Sequence, residues 1–238
     1  MLGVMAMAMT MSLVASGCSA IAQAYDGTKN VLRIGSDGGI DSLNPFVAQL
    51  TDAYSAFEYI YPMLVQYDAK LQLSPDFASS WTLSPDGRVW TFHTRANAHW
   101  SDGKPLTAED AAWTLGIMLK FQNGATASSA TDVAHMTSAV APNATTLVVT
   151  YDKPVANVLS QLQQLPILPE HIWAKYAVGK GQGLKTFANP APIVSGGPFE
   201  LVKFVSKEVA LFERNPEWWG PKPTSRASAW SSSPTTTR

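Results

Sequence analysis

Cysteine is almost absent: Cys18 is the only one among 238 residues. One thiol closes no intramolecular disulfide and supplies none of the Cys/His sets that hold zinc. Histidine is also scarce. His93, His99, His135 and His171 fall in different expected elements and form no HExxH pair, so each reads as a structural histidine rather than a metal ligand. No Gly-x-Ser-x-Gly elbow is present to carry a serine nucleophile. Asp102, Glu109, Asp110 and Glu170 sit at expected turns and caps, where polar satisfaction accounts for them without acid–base chemistry. A surplus of charge is missing too: the formal net charge is −1, which gives no basic surface for nucleic acid. Gly38-Gly39 is followed by no Gly-Lys-Ser/Thr, so it reads as a flexible turn and not as a phosphate loop. No internal repeat is evident, and no apolar run reaches the roughly eighteen residues of a membrane span.

The apolar run that does exist, Met1 to Ala15, suits an export signal. No Lys or Arg precedes it, so a start upstream of Met1, or a clipped chain, is expected. Ser19 to Asn30 is small and polar, as in a tether. Val31 to Gly35 reads as a strand leading into a Gly-rich segment. Asp52 to Val65 has helical spacing in Phe57, Ile60 and Leu64. At Ser84-Pro-Asp-Gly87 the chain turns, with Gly87 free to take a positive φ. Trp90 and Phe92 then alternate with Thr91 and His93 in a half-buried strand over Val89 to Thr94. After a second turn at Ser101-Asp-Gly103, Thr107 is placed to cap a helix with Asp110 as its capping-box acid and Ala112, Leu115 and Leu119 as its apolar face.

Further on, residues 138–141 and 146–151 read as a hairpin about the turn Pro142-Asn-Ala144. Asn143-Ala-Thr145 matches a glycosylation acceptor but is accounted for as turn chemistry. Val155 to Leu165 has helical spacing ended by Pro166. Lys175 to Pro190, with few large apolar residues, reads as an exposed connection. Phe199 to Phe204 and Val209 to Glu213 alternate as a second hairpin. From Thr224 onward the composition is low-complexity, with little to bury.

Several phrases, in order, carry a resemblance: Phe57-Glu-Tyr-Ile-Tyr-Pro-Met-Leu-Val65, Leu73-Ser-Pro-Asp-Phe-Ala-Ser-Ser-Trp81, His99-Trp-Ser-Asp-Gly-Lys-Pro-Leu-Thr-Ala-Glu-Asp-Ala111, Pro166-Ile-Leu-Pro-Glu-His-Ile-Trp173, Ser195-Gly-Gly-Pro-Phe199 and Arg214-Asn-Pro-Glu-Trp-Trp-Gly220. The chain resembles the extracytoplasmic solute-binding proteins of peptide and nickel ABC importers, the oligopeptide- and dipeptide-binding family. The resemblance implies an α/β fold of the type II periplasmic-binding-protein class, with peptide held between two lobes through main-chain hydrogen bonds and presented to an ABC permease. This chain would supply most of the first lobe. In this reading residues 1–18 are a lipoprotein signal peptide, 19–30 the tether, 31–223 the lobe and 224–238 a tail, which a frameshift or truncated gene would explain. Val14-Ala-Ser-Gly-Cys18 looks like a lipobox, making Cys18 the lipidation site and placing the protein at the outer face of a bacterial membrane. By motif position, ligand contacts are expected at Ser36, Asp37 and Gly38, and at Ser195, Gly196 and Gly197. Leu43-Asn44-Pro45 replaces a family Leu-Asp-Pro near the cleft. A binding module without enzymatic activity or cofactor is expected, with peptide, nickel chelate, haem or oligosaccharide as the class of solute. The competing readings are a non-functional fragment and an exported peptidase or glycosidase.

Overall fold

The structure is a computed structural model, and it describes residues 31–36, 38–206 and 208–232. The export signal, Cys18, the tether and Asp37 lie outside the described residues.

Three sheets organise the chain. The first has the order β1-β10-β9-β8, from β1 (Val31–Ser36), β8 (Phe199–Val205), β9 (Val209–Arg214) and β10 (Ala227–Ser232). β1 and β10 run parallel, and the remaining pairs are antiparallel. The second is a short hairpin of β2 (Val65–Tyr67) and β3 (Leu73–Pro75). The third is fully antiparallel, with the order β4-β5-β7-β6 from β4 (Ala78–Leu83), β5 (Val89–Thr94), β6 (Met136–Asn143) and β7 (Thr146–Tyr151). Its inner face follows the pleat: Trp81 pairs with Phe92, Phe92 with Leu147, and Trp90 with Val149. Gly87 takes a φ of 71° in the turn before β5, as expected.

The helices α1 (Thr51–Ile60) and α2 (Ala108–Phe121) cover the sheets. α1 buries Ala53, Ala56, Phe57 and Ile60, and Tyr59 packs edge-on against Phe199, Phe212 and Trp230 of the first sheet. It stops at Ile60 and not at Val65, because Tyr61 precedes Pro62 and is driven to extended backbone. The Thr107–Asp110 capping box forms as expected, and α2 packs on β6 and β7. Its buried stripe is Ala108, Ala111, Thr114, Leu115 and Met118, whereas Ala112 and Leu119 are only half-buried. The polar Thr114 hid this register. Its hydroxyl is buried because it accepts from Leu168 N at 3.0 Å.

Three further segments differ from expectation. The helix sought over Val155 to Leu165 is one turn, α3 (Val158–Leu162). The supposed exposed connection, which follows α4 (Glu170–Trp173), holds α5 (Gln182–Thr186), with Leu184 fully buried and Phe187 stacked on Tyr176 at 4.0 Å. Part of the low-complexity tail is β10, an interior strand. Ala227 and Ser228 are small enough to lie flat in the layer, and Trp230 reaches Phe212 at 6.2 Å.

Candidate functional site

In the parallel pair β1–β10, Ser36 at the carboxyl end of β1 is the register partner of Ser232. The carboxyl ends of strands in open α/β sheets face the crevice that such proteins use for ligands. Gly38, just past Ser36, is exposed, and a Cβ placed there would meet Asp52 Oδ2 at 3.5 Å and Leu50 at 3.9 Å, ordinary contact distances. Among the described residues β1 pairs only with β10, so its other side is the margin of the sheet. Gly38 is therefore an exposed point just past the end of this strand.

The loop that follows is held rigidly. The Asp41 carboxylate accepts from Gln49 N at 2.8 Å and Leu50 N at 3.2 Å, fixing the entry to α1. Asn44 is buried: its amide donates to the carbonyls of Leu184 and Phe187, both at 2.7 Å, and its oxygen accepts from Phe46 N at 2.9 Å. A carboxylate could not make the first two bonds, which accounts physically for Asn at this position. Asn189 plays the same part, donating to Leu43 O and to the Tyr61 hydroxyl, both at 2.8 Å. No local pattern marks Asn189, which falls in the segment expected to be an exposed connection.

Ser195, Gly196 and Gly197 lie elsewhere, and in the interior. Gly196 N and Gly197 N both donate to Ile60 O, at 3.0 and 2.8 Å, closing the last turn of α1. Ser195 is fully buried; its N–H donates to Ser101 Oγ at 3.0 Å and its carbonyl accepts from Ser101 N at 2.7 Å. The Asn215 amide reaches Gly197 O at 2.9 Å. A Cβ on Gly196 would lie 2.8 Å from the Trp100 ring, and one on Gly197 2.5 Å from Tyr59 O. These glycines permit close packing, and their N–H groups are already engaged within the chain. Gly38 faces the beginning of α1 and the Ser195–Gly197 loop its end, with the ten residues of that helix, about 15 Å long, between them. The structure does not bring them together.

Most of the other phrases meet at this second point. The Asp110 carboxylate accepts from Thr107 N, Glu170 N and Trp100 Nε1 at 3.0, 3.1 and 3.3 Å. Burial raises its pKa against those bonds. His171 Nε2 lies 2.8 Å from Asp102 Oδ2, tying α4 to the Ser101–Gly103 turn. Trp219 packs on Phe77, with the Arg95 guanidinium 4.8 Å from its ring centre. The recurring wording thus builds a joint between the sheets. Among the described residues no group of three or more metal-ligating side chains occurs, and no helix is long and apolar enough to cross a membrane.

Residues 72–236 match the bacterial extracellular solute-binding proteins, family 5, middle region. The chain belongs to this family. A Brucella ovis protein named as an ABC transporter peptide-binding protein is 31% identical over 192 residues, 80% of this chain and 35% of that protein. The fold also matches solved structures. AppA of Bacillus subtilis in complex with a nonapeptide is 20% identical with a TM-score of 0.76, covering 86% of this chain and 41% of AppA. NikZ of Campylobacter jejuni in complex with Ni(L-His) is 22% identical with a TM-score of 0.72, covering 85% of this chain and 39% of NikZ. The family 5 chain described here thus spans about a third of the length of the curated relative, and its lobe has the α/β architecture of periplasmic peptide- and nickel-binding proteins. Its relatives are binding proteins rather than enzymes.

Proposed function

We propose that this chain is part of the substrate-binding component of an ABC importer, and that it captures short peptides outside the membrane and hands them to a permease. The observation that carries the reading is the exposed Gly38 just past the end of β1, which is a sheet-margin strand among the described residues, in a chain of family 5. A peptide laid along such a margin bonds through its main chain, and this leaves side-chain identity open. Ser36, Asp37 and Gly38 are the proposed contacts; Ser195, Gly196 and Gly197 shape the lobe and hold α1 in place. The lipobox-like Val14–Cys18 stretch supports Cys18 as the site of a diacylglyceryl anchor, which radiolabelled palmitate incorporation lost in Cys18→Ala would test. For peptide capture, the purified chain is titrated by calorimetry with trialanine and with its N-methylated analogue. Saturable heat with trialanine that disappears on N-methylation is expected. Equal heats from both peptides, or none from either, would overturn main-chain recognition.

A further inference from the structure

A second opening lies along the outer side of α1, away from the joint. It is a cleft of about 200 Å³ between α1 and the chain leaving α3, walled by Thr51, Tyr54 and Glu58 on one side and Gln163 and Gln164 on the other. Phe57, Met63 and Pro166 form its apolar floor. The volume is below the roughly 300–1,000 Å³ of pockets for drug-sized ligands, so the occupant is small.

The polar lining is one-sided in charge. Glu58 forms no ion pair among the described residues, and its carboxylate accepts from the Gln163 amide at 3.4 Å. Partial burial raises the Glu58 pKa, and no neighbouring cation opposes the shift. Around Tyr54, at the other end of the cleft, Asp132 and Asp41 add negative potential and raise the phenol further. Asp76, behind Met63, is close enough to feel the Glu58 charge. Arg95 acts on Asp76, not on Glu58, and donates to the Asp76 backbone carbonyl at 2.8 Å. Tyr54 spends its hydroxyl proton on Ala48 O at 3.1 Å, so the cleft sees mainly its ring, set edge-on to Phe57 at 5.9 Å. A negative apolar cleft with an aromatic wall favours a cation with a short hydrocarbon stem: the head meets carboxylate and ring, and the stem covers the floor.

We propose that this cleft binds the primary ammonium group of a small alkylamine, with Glu58 as its counter-ion and the Tyr54 ring as its wall. The site lies on α1 and depends neither on the peptide margin nor on the importer assignment. The test is a resonance-by-resonance NMR titration of the full chain with n-butylammonium, n-butanol and butyrate. Saturable shifts at Thr51, Ser55, Glu58 and Gln163 are expected with n-butylammonium alone, weakened at least tenfold in Glu58→Gln and largely retained in Glu58→Asp. Unchanged binding in a folded Glu58→Gln variant would overturn the proposal, as would equal binding of n-butanol. If Glu58→Gln failed to fold, Tyr54→Leu replaces it: loss of affinity supports the aromatic wall, and undiminished affinity refutes it.

Discussion

Asp76 shows how one buried carboxyl shapes the pH response. It accepts from Met63 N at 2.9 Å, yet desolvation outweighs that bond and the nearby Arg95 charge, so its pKa is pushed up to about 6 from 3.8. The folded state therefore holds this proton more tightly than the unfolded chain. Asp76 favours folding most below its unfolded pKa, and that contribution is lost as pH rises through about 6. The difference is on the order of 3 kcal/mol at neutral pH. Asp76→Asn keeps an acceptor without the charge. Its stability relative to the native chain, from urea melts between pH 4 and 7.5, should rise with pH and level off above about 6; a flat difference would contradict the assignment. Glycines give a second test at this scale. Gly197→Ala should cost on the order of 2–4 kcal/mol, because its Cβ would be driven against Tyr59 O at 2.5 Å. Gly38→Ala, with ordinary contacts only, should stay within about 0.5 kcal/mol. Thermal melts of the two variants compare them directly.

At the scale of elements, caps and turns were the most legible features because their chemistry is local. The Ser84–Gly87 turn, the strand Val89–Thr94 and the Thr107–Asp110 box all form where those residues require. Thr107→Ala should cost about 1 kcal/mol in the same melts, and no loss would mean that Ala108 and its neighbours hold the helix start without the cap. Elements whose reasons are distant were not legible. β10 has one large apolar residue, Trp230, and becomes a strand because β1 and β9 pair with it on either side. α1 was read too long because helical spacing continued past Tyr61, while Pro62 ended it. The buried asparagines, Asn44 and Asn189, reach partners about 140 residues away, and no local pattern announces that.

At the scale of the molecule, family phrases located the fold, while the site residues they point to fall at two places along α1. Ser195, Gly196 and Gly197 recur beside a ligand cleft in the resemblance, and here they join Ile60, Trp100, Ser101 and Asn215. A phrase can recur because it packs two sheets together, and residue types alone do not distinguish that from contact with a ligand. Gly38 is exposed near the other end of α1, and it and Ser36 are the contacts proposed here. The most direct test is an amide-resonance titration of the chain with trialanine. The account predicts saturable shifts at Ser36 and Gly38, with Gly196 and Gly197 unmoved. Shifts centred on Gly196 and Gly197, or none at any of the four, would contradict it.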